Sequence, residues 1–155
     1  MLNSLSRRRS LLPFFALSIL LAALSGALTG CSGKAPAGDH EFPLAPLHEM
    51  PEEVQDAPVA VQEAYQFAFA NPGVLQELPC YCGCGSMGHT SNYDCYVSGE
   101  DDQGLITYDS HALGCSICVD ITQDAMRMLD QGKDLKEIRT YVDDTYAQYG
   151  SSNMP

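Results

Sequence analysis

The feature that most constrains this chain is a concentration of thiols and imidazoles between residues 80 and 118. Of its seven cysteines, six fall with two histidines inside a stretch of 39 residues. The eight side chains are Cys80, Cys82, Cys84, His89, Cys95, His111, Cys115 and Cys118. Cysteines at this density serve either as halves of disulfides or as ligands of soft metal ions. Residues 79–89 show no helical or strand periodicity. The sequence therefore predicts that disulfides or metal bonds hold this region together.

The first three cysteines stand at alternate positions 80, 82 and 84, with glycines between and after them. Alternate side chains of an extended chain project to the same side. The spacing therefore predicts that three sulfur atoms converge. Gly83 and Gly85 would leave room for them, since neither carries a side chain.

The last two cysteines, Cys115 and Cys118, are three residues apart at the predicted start of a helix. They would share one face of that helix, and its N-terminus would favour their thiolate form. His111 lies four residues upstream of Cys115 and is expected near the same helix end. Thiolates bind soft metals and also attack disulfides, so the spacing fits two kinds of chemistry.

Three interpretations of the cluster are open at this point. The leading one is a non-enzymatic metal site for Cu(I) or zinc, with all eight side chains as candidate ligands and Met87 as an additional thioether. The second is a thiol–disulfide oxidoreductase in which Cys115 is the nucleophile and Cys118 the resolving thiol. The third is a structural or interaction domain held by three disulfides, for which six cysteines allow fifteen pairings. Copper is favoured over structural zinc because exported thiolates need a very tightly bound metal to protect them.

Residues 1–30 have the parts of a bacterial secretory signal peptide. Three consecutive arginines at positions 7–9 precede a mostly apolar stretch over residues 11–28. Leu28-Thr29-Gly30-Cys31 matches the lipobox, in which the cysteine thiol accepts diacylglycerol. We therefore expect cleavage before Cys31, lipidation of Cys31 and an extracytoplasmic protein anchored to the bacterial cell membrane. The arginine pair also resembles a twin-arginine signal, so Sec and twin-arginine export are both open.

The charge of the chain limits its partners. Its formal net charge is −12, and removal of residues 1–30 would make it −15 because that segment holds three bases and no acids. Such a chain has no electrostatic attraction for nucleic acid or for an anionic membrane surface. The expected membrane contact is the lipid alone. A metal-handling role would call for a metal-transport protein or a cytochrome or oxidase maturation protein as partner.

The fold is predicted to be mainly α, with a flexible tether before the domain and a short tail after it. Recurring prolines and small residues indicate a tether over residues 31–55. The domain is expected over residues 56–150 and the tail over residues 151–155. A first helix over Pro58–Ala70 carries an apolar stripe of Val61, Ala64, Tyr65, Ala68 and Phe69. A further helical turn is expected after Asn71, and residues 94–98 and 105–108 could pair as a short β-hairpin.

The C-terminal third predicts an antiparallel helical hairpin. Its first helix would begin after Ser110 or Gly114 and end near Gln131, with Gly132 as the C-cap. Asp134 and Glu137 have the spacing of a capping box for the second helix, which would end at Gly150. The residues expected to face inward from that helix are Leu135, Ile138, Val142, Thr145, Tyr146 and Tyr149.

The string Pro-Cys-Tyr-Cys-Gly-Cys over residues 79–84 is the naming motif of a bacterial family, the PCYCGC-motif lipoproteins. The chain resembles this family over residues 55–150, where Gly88-His89, Asp94-Cys95, His111 and the Cys-Ser-Ile-Cys of residues 115–118 follow in family-like order. The resemblance implies that these cysteines and histidines are the family's shared core. It assigns no biochemical role.

Residues 115–150 alone are similar to the membrane-anchored thiol reductases of cytochrome c maturation. That likeness rests on the Cys-x-x-Cys, the helix after it, Gly132-Lys133, Glu137-Ile138 and Tyr149-Gly150. It implies a helical hairpin and a redox role for Cys115 and Cys118. The chain departs from those reductases in having four further cysteines upstream and no C-terminal membrane helix, which weakens the redox implication but leaves the hairpin.

Overall fold

Five α-helices and one two-stranded sheet form the part of the chain that the computed structural model describes, residues 42–154. The elements are α1 (Glu52–Gln55), α2 (Val59–Ala70), α3 (Pro72–Leu75), β1 (Val97–Glu100), β2 (Ile106–Tyr108), α4 (Ser116–Asp130) and α5 (Leu135–Tyr146). Short 3-10 turns span Leu47–Glu49, Cys84–Met87, Tyr93–Cys95 and His111–Leu113. The predicted mainly α fold is confirmed. The predicted signal peptide, Cys31 and residues 31–41 of the predicted tether lie outside the described residues. Among residues 42–154, no helix is long and apolar enough to cross a membrane.

Helix α2 supplies much of the core and packs against α4. Ala64, Tyr65, Phe67 and Ala68 are fully buried, whereas Val61 and the other edge of the predicted stripe are only partly buried. The sequence analysis missed Phe67 because the chain before α1 covers that side of the helix. Large apolar side chains buried on two faces of α2 fix it in the middle of the domain.

The ordered domain begins before the predicted boundary at residue 55. The ring of Phe42 packs edge-on against Phe67 with centroids 4.9 Å apart. The backbone N–H of Ala45 donates to the carbonyl of Gln66 at 3.0 Å, and the Gln66 amide returns a bond to the Ala45 carbonyl at 2.6 Å. Met50 and Val54 are buried. Residues 42–55 thus differ from a flexible tether, because their prolines start packed helical turns.

The two strands pair antiparallel, with Val97 opposite Tyr108 and Glu100 opposite Ile106. A β-hairpin is therefore present, but its first strand starts later than predicted. Residues 93–95 instead form a 3-10 turn, which the Asp94 carboxylate supports by accepting from the backbone N–H of Thr90 at 2.6 Å. The turn matters for the site because it directs Cys95 into the core.

The corner between α4 and α5 follows the capping pattern in the sequence. Gly132 has φ +72°, and the N–H groups of Gly132 and Lys133 donate to the carbonyls of Leu129 and Met128 at 2.8 and 3.0 Å. These two bonds form a Schellman motif. The Glu137 N–H donates to the Asp134 carboxylate at 2.8 Å, and the Asp134 N–H donates to the Glu137 carboxylate at 3.1 Å, completing the predicted capping box.

The two ends of the hairpin compare differently with the sequence prediction. Helix α4 starts at Ser116, which agrees within one residue with the predicted start after Gly114. The alternative start after Ser110 is wrong, because residues 111–113 form a separate 3-10 turn. Helix α5 ends at Tyr146 and not at Gly150. Ile138, Val142 and Tyr146 are buried, whereas Tyr149 is 58 % exposed, so its predicted inward position is wrong. The helix stops because the chain after Tyr146 turns back towards the cysteine-rich loop.

Candidate metal centre

Six cysteines from both halves of the domain gather at one place, and all six are free thiols. The Sγ atom of Cys118 lies 3.2 Å from that of Cys115, 3.4 Å from that of Cys80 and 3.6 Å from that of Cys82. Cys84 and Cys95 are in contact at 3.6 Å. A disulfide would bring two sulfur atoms to about 2.05 Å. Two thiolates on one tetrahedral zinc ion stand roughly 3.8 Å apart, which follows from a metal–sulfur bond of about 2.3 Å. The spacing therefore matches a shared metal better than a set of bridges.

The ligand atoms fall into two groups, each with all atoms within 4.8 Å of one another. The first group is Cys82, His111, Cys115 and Cys118, and the second is Cys80, Cys84 and Cys95. These Cys and His groups could hold a metal ion. Cys80 joins them, since its Sγ lies 3.4 Å from those of Cys82 and Cys118. We call the seven side chains together the thiol cluster. It can act as one connected set of six sulfur donors and one nitrogen donor.

The loop of residues 80–84 contributes to both groups because it changes direction at Gly83. The backbone there has φ +88°, a conformation that favours glycine, and a 3-10 turn begins at Cys84. Cys80 and Cys82 keep their sulfur atoms together, at 3.4 Å, as an extended segment predicts. Cys84 does not share their side as the alternating spacing predicted, and it contacts Cys95 instead.

The other half of the thiol cluster is built on the start of α4. Cys115 is the N-cap residue and Cys118 lies in the first turn, where the helix dipole stabilises negative charge. His111 belongs to the preceding 3-10 turn, and its backbone N–H donates to the Asp109 carboxylate at 2.7 Å. This bond holds the turn so that His111 Nε2 lies 3.3 Å from Cys82 Sγ. The two distant segments therefore meet at Cys82.

A buried polar network behind the thiol cluster fixes the first turn of α4. The Tyr96 hydroxyl donates to the Cys118 carbonyl at 2.9 Å and lies 2.7 Å from Thr122 Oγ1. The Asn92 amide donates to the same Thr122 oxygen at 2.8 Å. The sequence analysis did not find these residues. The only signal was Thr122 four residues after Cys118, which places it one turn further along the same helix face.

Two factors set the ionisation of the thiol cluster: the burial of its thiols and the contacts between them. Contacts with Cys118 and Cys95 hold the pKa of Cys80 well below its ordinary value, because both thiols stabilise the Cys80 thiolate by hydrogen bonding. The same contacts raise the pKa of Cys118, and burial raises the pKa of Cys82 and Cys84. Without a bound cation the cluster thus favours one thiolate among neutral thiols. A cation at the centre would favour further thiolates by charge neutralisation.

The C-terminal segment, predicted only as a tail, forms part of the site. Asn153 Oδ1 accepts from the Cys80 N–H at 2.6 Å, and the Asn153 N–H donates to the Cys80 carbonyl at 3.1 Å. Its side-chain amide donates to Ser91 at 3.0 Å and lies 3.5 Å from Cys84 Sγ. Gly150 lets the segment approach, since a Cβ there would lie 2.7 Å from the Tyr81 carbonyl oxygen. Asn153 therefore clamps the loop of residues 80–84.

We expect Asn153→Ala to lower the free energy of unfolding of the reduced, metal-free protein by about 1–3 kcal/mol, because the Cys80 N–H loses its acceptor. Urea unfolding followed by circular dichroism measures the change. Ser151→Ala, at an exposed position in the same segment, is the control and should unfold like the wild type. Equal stability of the two variants would refute a clamping role for Asn153.

His89 lies beside the thiol cluster but in neither ligand group, so the structure brings together seven of the eight predicted ligands. Its ring meets that of His111 edge-on, with centroids 5.2 Å apart. Its Nε2 is 3.7 Å from the Asp109 carboxylate. Met87, the candidate thioether, is 62 % exposed on the same side. These two side chains are available for a role outside the cluster itself.

Comparison with known proteins agrees with the motif. A family model described as a protein of unknown function with PCYCGC motif matches residues 20–154. No curated protein and no solved structure gives a significant match. The matched region includes every cysteine and histidine of the site. Because the match covers most of the sequence, the chain belongs to the PCYCGC-motif family.

Proposed function

We propose that this protein binds Cu(I) through its thiol cluster and handles or delivers it as a non-enzymatic protein at the extracytoplasmic face of the bacterial cell membrane. One observation carries the proposal. Six unpaired thiols and the His111 imidazole form two groups whose ligand atoms lie within 4.8 Å of one another, and Cys80 joins the groups through its 3.4 Å contact with Cys118. Four of the six thiols are buried. Soft thiolate ligands of this kind select soft metal ions.

The composition of the thiol cluster favours copper over zinc. A structural zinc ion takes four ligands, and the group of Cys82, His111, Cys115 and Cys118 would satisfy it. Three buried thiols, Cys80, Cys84 and Cys95, would then be left without a metal. Cu(I) accepts two or three thiolates and shares bridging ones, so a connected set of seven donors suits several copper ions. Cys80 and Cys118, whose sulfur atoms are 3.4 Å apart, would be the bridges.

The lipobox at residues 28–31 supports a location outside the cytoplasm, with Cys31 carrying the lipid. The large negative charge of the chain supports attachment through that lipid rather than through the protein surface. A metal-transport protein or a cytochrome or oxidase maturation protein is the partner class we propose. Incorporation of a palmitate analogue into the membrane fraction, and its loss in Cys31→Ala, would test the anchor separately from the metal.

The test of metal binding is the metal content of the protein made in copper-supplemented cells and purified without oxygen. We expect more than one copper ion per chain, no EPR signal from Cu(II), and thiols that react only after chelation. Three disulfides without metal would refute the proposal. A single zinc ion that copper cannot displace would also refute it. Iron with sulfide would instead assign an iron–sulfur cluster.

A second candidate function is thiol–disulfide exchange at Cys115 and Cys118. The observation that favours it is their 3.2 Å contact at a helix start, with Cys115 partly exposed and Cys118 fully buried. The Cys115 thiolate would attack a partner disulfide and release one partner thiol. Cys118 would then attack the mixed disulfide, so the partner gains two electrons and this chain gains a disulfide. Cys118→Ala should trap the mixed disulfide, and absence of trapped partners would exclude the reaction.

A further inference from the structure

A cavity of about 390 Å³ is lined in part by His89, whose ring contacts that of His111 in the thiol cluster. Its lining residues are Met87, Gly88, His89, Asp94, Val97, Ser98 and Asp109. Met87 is well exposed, whereas His89 is only 9 % exposed. The cavity thus has two soft-metal donors, the Met87 thioether at the solvent side and the His89 imidazole towards the interior. They follow each other closely in the chain, separated by Gly88, whose φ of +96° turns the backbone between them.

His89 has an unused nitrogen despite its burial. Its Nδ1 makes no hydrogen bond to any of the described residues. Its Nε2 faces the Asp109 carboxylate at 3.7 Å, which is beyond hydrogen-bond distance. A buried polar atom without a partner costs about 1–3 kcal/mol, so a ligand that bound at Nδ1 would recover this cost. Neutral imidazole nitrogen is a good ligand for copper.

The cavity connects to the thiol cluster through a short series of contacts. The rings of His89 and His111 meet edge-on at 5.2 Å, and Asp109 faces both residues. His111 Nε2 in turn lies 3.3 Å from Cys82 Sγ. Each carboxylate of the cavity accepts hydrogen bonds through one oxygen, Asp94 Oδ2 from Thr90 and Asp109 Oδ1 from the His111 backbone N–H. The other oxygen of Asp109 lies 3.7 Å from His89 Nε2, so Asp109 is the carboxylate that would attract a cation towards the imidazole.

We propose that Met87 and His89 form a capture site that receives Cu(I) and passes it to His111 and Cys82 of the thiol cluster. This inference rests on the proposed copper function and adds the route by which the metal enters. A thioether and a neutral imidazole bind Cu(I) without losing a proton, so capture is fast and weak. Thiolates bind it more tightly, so transfer runs towards the cluster.

The transfer is an exchange of ligands. Copper remains Cu(I) throughout, so no electron moves. The bonds to Met87 sulfur and His89 nitrogen break as bonds to His111 and Cys82 form. Each neutral thiol that becomes a ligand releases its proton to water. Met87 and His89 return to their starting state, ready for another ion.

The test is the rate of copper loading of the full mature chain from a Cu(I) complex of bicinchoninate, followed by loss of the colour of that complex. We expect Met87→Leu and His89→Gln each to slow loading about tenfold, which corresponds to about 1.4 kcal/mol in barrier height. Final copper per chain should stay at the wild-type value. His48→Gln alters an exposed histidine outside the cavity and should load at the wild-type rate.

The outcomes separate the two proposals. A wild-type protein that takes up no copper refutes the metal function. Normal copper content with unchanged loading rates in Met87→Leu refutes the capture site alone. Lower final copper in His89→Gln would make His89 a permanent ligand and would also overturn capture. Met87→Leu changes an exposed side chain, so its result does not depend on whether His89→Gln folds.

A second measurement detects the capture site directly. Ag(I) is a stable substitute for Cu(I), and the protein can carry ¹³C-labelled methionine methyl groups. Once the thiol cluster is filled, the next Ag(I) should shift the Met87 methyl resonance. Met50 and Met126, which are buried, serve as internal controls and should not move. A Met87 resonance that stays in place under excess Ag(I) would overturn the proposal.

Discussion

Cys118→Ser should abolish tight copper retention, with a loss of at least about a hundredfold in apparent affinity, or roughly 3 kcal/mol. Cys118 contacts three other sulfur atoms, those of Cys80, Cys82 and Cys115, and is fully buried. A serine hydroxyl is a hard and weakly acidic donor that does not replace a bridging thiolate. Loss of the Cys118 thiolate therefore affects both ligand groups, whereas loss of the Cys84 or Cys115 thiolate affects only one.

Competition with a Cu(I)-specific chelator, combined with metal analysis, measures this effect. Ser116→Ala is the matched control, because Ser116 is exposed in the same four-residue segment. We expect it to retain the wild-type copper content. Cys115→Ser should lose less copper than Cys118→Ser. Equal losses in these two cysteine variants would contradict a bridging position for Cys118.

Removing the metal is expected to lower the melting temperature of the reduced protein by roughly 15 °C or more. A ligand present at a thousand times its dissociation constant stabilises the folded state by about 4 kcal/mol. One kcal/mol corresponds to about 4–8 °C in a domain of up to 100 residues. The thiol cluster joins the loop of residues 80–84 to the start of α4, so a bound metal would act as a cross-link between the two halves of the core.

Calorimetry of copper-loaded and chelator-treated samples in reductant provides the measurement. Cys118→Ser treated in the same way is the control, since little metal should be left to remove from it. The two wild-type samples should differ strongly, whereas the two variant samples should melt together. A metal-free wild-type protein that melts at the temperature of the loaded one would show that the metal does not contribute to stability.

Local rules were enough to predict the helical hairpin. Gly132 and the Asp134–Glu137 capping box act within a few residues of their own position, so their geometry follows from the sequence. The end of α5 did not follow, because Tyr149 has helical spacing but the chain turns away to bring Asn153 onto Cys80. Contacts over more than seventy residues leave no periodic signal. Phe67 was missed because a contact from outside its helix, with Phe42, buries it, and helical spacing does not report such a contact.

The donor types of the candidate site could be predicted, but their grouping could not. Clustering of thiols and imidazoles in the sequence identified the residues that the structure brings together in both groups. The division of the cysteines into two groups depends on Gly83, where the backbone turns so that Cys84 contacts Cys95 and joins its group, not that of Cys82. A positive φ at one glycine is a property of the folded chain and not of alternating spacing. The unused nitrogen of His89 likewise becomes visible only when its surroundings are known.

The thiol cluster draws its sulfur atoms from residues 80 to 118 and is closed by Asn153, so it exists only after nearly the whole domain has folded. Before that moment the six thiols of a newly made chain are open to oxidants, and fifteen sets of three bridges compete for them. Most of these pairings would prevent the domain from closing. At the extracytoplasmic location that we propose, folding would therefore have to be faster than oxidation, and export in the folded state would remove this requirement.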